Sequence, residues 1–378
     1  MIIGFDAKRA AQNKTGLGNY SRFIIQALSR YATENKYLLY TPNPRKAKLF
    51  GTITRESDTR ICFPAKFVWK KFSSFWRIWG ITSDIIQDKV TLFHGLSNEL
   101  PLNIRKARKT RTIVTIHDLI FLRYPEYYHF IDRKIYAFKF RHACQISDRI
   151  IAISECTKRD IISFFNIPAE KIDVVYQGCD EAFKKETPCK IKDNLRQKYS
   201  LPDQFILYVG SIENRKNLLL LAKALKHLKQ SIPVVAIGKR TPYAEEIENY
   251  LKENELDSQM KLLSGIPFDE LPAFYQMASV FVYPSRFEGF GIPLLEALNS
   301  GIPAIGATGS CLEEAGGPSS IYINPDDDKA LAKAIDLILT NETVRERMIR
   351  DGKEYARRFE AAELTKELQI VYQKTIES

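Results

Sequence analysis

Two glutamates eight positions apart, Glu288 and Glu296, stand in the run Tyr-Pro-Ser-Arg-Phe-Glu-Gly-Phe-Gly-Ile-Pro-Leu-Leu-Glu that begins at Tyr283. The run follows an apolar segment that reads as a buried strand and enters one with helical spacing. Pro293 suits a first helical turn, where its missing N–H costs nothing, and Gly301 suits the C-terminal cap. This pattern puts Glu288 on the loop with Gly289 and Phe290, and Glu296 on the first turn, both beside the positive end of the helix. The backbone N–H groups of Gly291 and Ile292 are placed to hold phosphate oxygens. A carboxylate can accept hydrogen bonds from two hydroxyls at once. A second run, Gly210-Ser-Ile-Glu-Asn-Arg-Lys-Asn, sets Arg215 and Lys216 just past another strand. Two cations there can neutralise a diphosphate, and a planar guanidinium can bond two oxygens. Singly, each run has an ordinary reading: a carboxylate compensating a helix dipole, or a solvated basic turn. Together in one half of the chain, each at a strand end, they are much less ordinary.

Two weaker features lie in the other half. Thr15-Gly16-Leu17-Gly18-Asn19-Tyr20-Ser21 reads as a glycine loop ahead of a helix, and Ile116-His117-Asp118-Leu119 closes a strand. A lone histidine is more often structural than functional. The glycine loop also invites a dinucleotide-binding reading, but Ser21 replaces the third glycine. The second strand ends in Thr41-Pro42-Asn43, with no acid for a ribose. A nicotinamide-dependent oxidoreductase is therefore disfavoured.

These motifs need elements to hold them, and the chain alternates strand and helix almost from end to end. Strands are predicted at 2–5, 37–40, 90–93, 112–116, 149–153 and 171–176, with helices at 20–29 and 158–165. Ser154 is the cap of the second of these helices. Residues 181–197 read as a polar linker containing Pro188. Beyond it, strands at 205–209, 234–237, 261–263, 280–283 and 303–306 alternate with helices at 218–228, 244–253, 268–277, 293–299 and 330–340, followed by a charged helical stretch at 343–378. Buried strands alternating with helices imply parallel sheets, and two such sets imply two Rossmann-like domains. The expected divisions are 1–180, 181–355 and a final helix, 356–378. In such sheets ligands bind at the carboxyl ends of strands, where all four motifs fall.

At 378 residues, with 45% hydrophobic and 27% charged side chains, the chain suits two ordinary cores, which excludes wholesale disorder and a coiled coil. Its apolar runs stop short of the ~20 residues that cross a bilayer. No signal sequence is visible at the N-terminus, so a cytoplasmic location is expected. The six cysteines are scattered without a C-x-x-C pair and read as small buried hydrophobes. No cluster of His, Asp or Cys has metal-ligand spacing, and no metal is expected. The formal charge of +11 favours anionic partners. Residues 66–79, rich in aromatic and basic side chains, fit either an interfacial helix on anionic lipid or a core-facing helix with a solvated basic face. No nucleic-acid motif accompanies the charge.

The glutamate run resembles the signature of the retaining family 4 glycosyltransferases, E-G-F-G-x-P-x-x-E-A, and the Arg215-Lys216 run resembles their G-x-x-x-x-R-K-N loop. The glycine loop and Ile-His-Asp-Leu are similar to further family segments, and the likeness covers nearly the whole chain. It implies a GT-B fold, two Rossmann-like doubly wound domains facing a central cleft, with the final helix crossing back to the first domain. By this resemblance Glu288 contacts donor-sugar hydroxyls, Glu296 the ribose, and Arg215 with Lys216 the diphosphate. Gly16 and Gly18 approach the donor phosphate and sugar, as do the backbones at Gly210 and Gly289–Ile292. His117 faces the donor sugar and Asp118 orders its loop; the acceptor-side expectation falls on Asp118 and His94. The implied activity is front-face, retaining transfer of a hexose to a glycan or lipid-linked oligosaccharide of a surface polysaccharide, with Glu288, Arg215, Lys216 and His117 as the catalytic set. GDP-mannose is the first expectation for the donor, with UDP- and dTDP-sugars open. No separate cofactor is implied. Peripheral contact with an anionic membrane fits the charge. Two departures from the family pattern, Gln177-Gly178-Cys179-Asp180 and Asn299-Ser300, touch none of this chemistry. A sugar-nucleotide epimerase of the same fold is the alternative.

Overall fold

The computed structural model describes the 378 residues other than 14, 51–56, 67, 70, 71, 73 and 74, and only the backbone of Lys46 and Lys48. The chain packs as two units, Met1–Gly178 with Phe359–Ser378, and Cys179–Arg358. The divisions thus fall at 178/179 and 358/359, where the sequence suggests 180/181 and 355/356.

The first unit is a seven-stranded sheet: β1 (Ile2–Asp6), β2 (Lys36–Tyr40), β3 (Thr59–Cys62), β4 (Leu92–Gly95), β5 (Arg111–Ile116), β6 (Arg149–Ala152) and β7 (Ile172–Val174). The second holds six: β8 (Ile206–Val209), β9 (Val234–Ile237), β10 (Met260–Leu263), β11 (Val280–Tyr283), β12 (Ala304–Ala307) and β13 (Ile321–Ile323). Their orders are β3-β2-β1-β4-β5-β6-β7 and β10-β9-β8-β11-β12-β13. All pairings are parallel, as Gly4 against Leu38 and Phe93, or Phe281 against Ala304 and Leu207, illustrate. The central strands are buried along nearly their whole length, as expected where helices cover both faces. Both sheets are therefore Rossmann-like and doubly wound. In each, the order reverses once, between β1 and β4 and between β8 and β11, and the crevice outside such a reversal is where ligands sit.

Several local readings change. Residues 15–19 are not a loop: the helix Gly16–Tyr31 starts at the first glycine, with Thr15 at its cap. Part of the supposed linker is the helix Cys189–Tyr199, in which only Leu195 is buried; Ile191, Leu195 and Tyr199 recur at helical spacing among otherwise polar residues. Cys189 is exposed at its start, whereas the other five cysteines are buried. Residues 343–378 form two helices, Glu342–Ala356 and Ala361–Glu377. The second buries Leu364, Leu368, Val371 and Tyr372 within the first unit.

The stretch 66–79 divides between the two readings offered for it. Trp76 is buried and its Nε1–H donates to Asp84 Oδ2 at 2.7 Å, and Trp69 packs against the core. Phe72, Phe75 and Trp79 are exposed. Of its remaining residues, 67, 70, 71, 73 and 74 lie outside those described.

Candidate active site

The β8–β11 reversal brings the two strongest motifs into one place. Residues 210–217 leave β8 and residues 284–291 leave β11, and backbone contacts tie the loops together. The Arg286 N–H donates to the Arg215 carbonyl at 2.9 Å. Asn217, in the left-handed region at φ 59°, donates from Nδ2 to the carbonyls of Pro284 at 3.2 Å and Pro325 at 2.8 Å. Arg215 then spans the loops: Nη1 lies 2.9 Å from Glu288 Oε1, Nη2 lies 2.8 Å from Glu213 Oε1, and the guanidinium also donates to the Phe287 carbonyl. Glu288 Oε1 further accepts from the Tyr283 hydroxyl at 2.8 Å and Ser285 Oγ at 2.9 Å. Lys216 Nζ sits 5.6 Å from the centre of the Tyr283 ring, a cation–π contact. A Cβ at Gly210 would stand 3.2 Å from the Lys216 side chain, so the glycine leaves that lysine room.

Burial alone would push Glu288 upward, but Arg215 and Lys216, with the Tyr283 and Ser285 hydroxyls, outweigh it and hold the carboxyl below its ordinary range. Burial likewise opposes the charge on Arg215, and Glu288, Tyr283 and Glu213 more than restore it. The pair is thus fixed in its charged form.

Glu296 differs. Its helix runs Ile292–Ser300 from Gly291, whose φ of 111° favours glycine, and there is no acid in the first turn. Because the helix starts one residue earlier than the sequence suggests, Glu296 falls just past the first turn, so dipole compensation is not its explanation. It is 8% exposed, and its Oε2 accepts from the Tyr275 hydroxyl at 2.8 Å. Burial, aided by Asp180, pushes its carboxyl up to about 7 against the pull of Tyr275 and Lys216. Lys216 acts electrostatically on both glutamates. Phe287 and Phe290 are buried and anchor the loop; Phe290 contributes packing, with Gly289 and Ile292 half-buried beside it. Tyr275, which bonds Glu296, lies outside every motif, whereas Tyr283 and Ser285, which bond Glu288, stand in the glutamate run itself.

In the first unit, a Cβ at Gly18 would stand 1.8 Å from the Asn13 carbonyl oxygen, whereas nothing lies within 4 Å of one at Gly16. His117 follows β5. Its N–H donates to Asn98 Oδ1 at 2.8 Å, and Nε2 lies 2.9 Å from the Leu96 carbonyl. A carbonyl only accepts, so Nε2 carries the hydrogen and Nδ1 is the acceptor of the neutral ring. Burial pushes this ring down to about 4, against the pull of the Leu96 carbonyl. Asp118 Oδ1 accepts from the Ile120 N–H at 3.2 Å.

His94, the other residue of the acceptor-side expectation, lies inside the first unit. It is fully buried, with Nδ1 2.8 Å from the Tyr372 hydroxyl and Nε2 2.8 Å from Thr115 Oγ1. It fastens the C-terminal helix to the sheet. Sequence reasoning also missed Arg77, which turns inward to Asp6 Oδ2 at 2.6 Å and Glu99 Oε2 at 2.9 Å rather than joining a solvated basic face. Among the described residues no three His, Cys, Asp or Glu side chains gather as metal ligands would.

Comparison with known proteins agrees with this geometry. Residues 15–183 match the family model described as Glycosyltransferase Family 4, and residues 191–355 that described as Glycosyl transferases group 1. The chain is 30% identical over 274 residues to the O-antigen chain mannosyltransferase B of Escherichia coli, covering 71% of this chain and 70% of that one. It is 29% identical over 280 residues to the serotype-specific mannosyltransferase WbdA of Escherichia coli, covering 70% of this chain and 33% of that longer one. Its fold is similar to that of Anabaena Alr3699/HepE, solved in complex with UDP and glucose, with a TM-score of 0.75, 17% identity and 99% of each chain covered. It is also similar to that of a glycosyltransferase from Rickettsia africae, with a TM-score of 0.77, 15% identity and coverage of 100% and 98%.

Proposed function

The chain belongs to the group 1 and family 4 glycosyltransferases of GT-B fold, and from that premise we propose that it transfers mannose from GDP-mannose, with retention, to a lipid-linked glycan acceptor in surface polysaccharide synthesis. The observation that carries this reading is the convergence of Arg215, Lys216 and Glu288 at the β8–β11 reversal. There a sugar diphosphate finds cations for its phosphates and a charged carboxylate for its sugar. The names of the mannosyltransferase relatives support the choice of sugar.

In this reading Arg215 and Lys216 stabilise the departing phosphate as its bond to the sugar breaks and the acceptor hydroxyl attacks on the same face. Fixed donors aimed at developing charge are worth roughly 3–4 kcal/mol each. Tyr283, Ser285 and Arg215 converge on Glu288 Oε1, so Oε2 is the oxygen assigned to a sugar hydroxyl. Glu296, ionised, takes the ribose hydroxyls. The charge work assigned to a divalent ion elsewhere falls to Arg215 and Lys216. Among the described residues no helix is long and apolar enough to cross a membrane, and a peripheral station at an anionic membrane, where a lipid-linked acceptor resides, completes the reading.

The test is transfer from GDP-mannose, UDP-glucose and dTDP-rhamnose to a lipid-linked acceptor, followed by nucleotide release and by NMR of the new linkage. Acceptor-dependent use of GDP-mannose with the donor's anomeric configuration kept is expected, and Arg215→Ala should slow it by about 100- to 1,000-fold. Turnover of a nucleotide sugar to its epimer without any acceptor, or an inverted linkage, would refute it.

A further inference from the structure

The helix Phe130–Ile146 is apolar on two opposite faces. Its inner face buries Phe140, Ala143 and Cys144, with Phe140 meeting Phe121 edge-on at 5.3 Å. Its outer face presents Ile131, Ile135 and Phe138, spaced four and three residues apart and so aligned in one stripe, with Phe130 at its head. These four are 71%, 44%, 62% and 65% exposed, in that order. Such large aliphatic and aromatic groups held in water are not explained by packing within the unit, and a contiguous exposed apolar patch marks an interaction site.

The charges beside the stripe identify its partner. The helix carries four basic residues, Arg133, Lys134, Lys139 and Arg141, against one acid, Asp132. Lys134 extends over the Phe130 ring, with Nζ 5.4 Å from its centre, and so lies at the edge of the apolar stripe. Lys139, on the other edge, reaches Glu99 Oε1 at 3.4 Å, and Arg77 meets the same carboxylate. Glu99 thus links the helix to Arg77, and Trp79, two residues beyond Arg77, is also exposed. An apolar stripe edged by cations, with aromatic side chains nearby, is the composition of a surface that lies in the headgroup boundary of a bilayer. A second copy of the chain would fit poorly, because two-fold pairing of this face sets like cations against one another.

We propose that the outer stripe of the Phe130–Ile146 helix, Ile131, Ile135 and Phe138 with Lys134 beside it, is the surface by which the protein docks on an anionic lipid bilayer. This rests on the peripheral-membrane reading above and gives it a location. Of residues 66–79, the site first considered for lipid contact, Arg77 shares Glu99 with Lys139 of this helix, and the proposed docking surface is centred on the helix itself.

The test is co-sedimentation of the full chain with vesicles of phosphatidylcholine alone and with one-third phosphatidylglycerol. The wild type is expected to bind only the anionic vesicles. Ile131→Ser/Ile135→Ser/Phe138→Ser should weaken that binding at least ~30-fold with its unfolding temperature unchanged. Lys134→Glu, a fully surface change that guards against misfolding of the triple variant, should weaken it about fivefold to tenfold. If the wild type binds and both variants bind equally well, the stripe is not the docking surface and the peripheral reading survives elsewhere on the molecule. If the wild type ignores anionic vesicles, both fall. If it is instead a dimer that the triple variant dissociates, the stripe joins copies of the chain and the proposal is overturned.

Discussion

Glu296→Gln separates function from stability at one atom group. In the fold the Glu296 carboxyl is pushed from an ordinary 4.5 to about 7, with burial as the main cause. Keeping it ionised there costs about 3 kcal/mol, at ~1.4 kcal/mol per tenfold change in proton affinity. The sign follows from proton binding. Between pH 4.5 and 7 the folded chain holds a proton that the unfolded chain has released, so the glutamate's share of stability is full below 4.5 and lost as pH rises through about 7. Glutamine cannot ionise, and its amide oxygen can still accept the Tyr275 hydroxyl bond. The stability of Glu296→Gln relative to wild type, from urea unfolding at a series of pH values, should therefore rise by about 3 kcal/mol across pH 4.5–7 and level off above. Its affinity for the nucleoside diphosphate should fall, and the wild-type advantage should grow as pH rises through about 7, where Glu296 in the fold ionises to receive the ribose. A stability difference that is flat with pH would refute the burial argument.

The remaining predictions use the glycines and the C-terminal helix. Gly16→Ala adds a methyl in open space on a helix, so it should raise stability by ~0.5–1 kcal/mol in thermal unfolding; an unchanged or lower melting temperature would contradict that reading. Gly18→Ala, with a Cβ 1.8 Å from a backbone oxygen, should displace the first helical turn and lower the unfolding temperature markedly, and an unchanged melt would contradict the packing. Gly291→Ala at φ 111°, with Leu312 at 2.7 Å, should cost about 2 kcal/mol and weaken nucleotide binding in calorimetry. Tyr372→Phe leaves His94 Nδ1 without its 2.8 Å partner and should cost ~1–3 kcal/mol in denaturant unfolding, with turnover in native conditions unchanged.

The sheets were legible because parallel strands covered on both faces write themselves as short apolar runs between helices, and both motif loops sit where those runs end. The switch points could not be read, since strand order is set by pairings such as β8 with β11, whose residues lie far apart in sequence. Similar reasons hide the supports of the site. Tyr275 reaches Glu296 across 21 positions, and nothing local marks that tyrosine. His94 could be taken for a ligand-facing residue at a strand end because its partner, Tyr372, lies 278 positions away. Arg77, among aromatic and basic neighbours, has the pattern of a solvated face until Asp6 and Glu99 are seen to enclose it. The depth of Glu296 turned on one fact, that the helix begins at Ile292 and leaves Glu296 outside its first turn.

The central claim is that the Arg215-Lys216 loop grips the diphosphate of a nucleotide sugar. Lys216→Ala tests binding most cleanly, since removing Arg215 also takes the cation from half-buried Glu288. Calorimetric titration should use whichever of GDP, UDP and dTDP binds the wild type most tightly, alongside its nucleoside. Loss of one charge-assisted bond predicts a ~10- to 100-fold drop in diphosphate affinity, with nucleoside affinity unchanged. Equal diphosphate affinity in the two proteins, or a wild type that binds none of the three, would contradict the account.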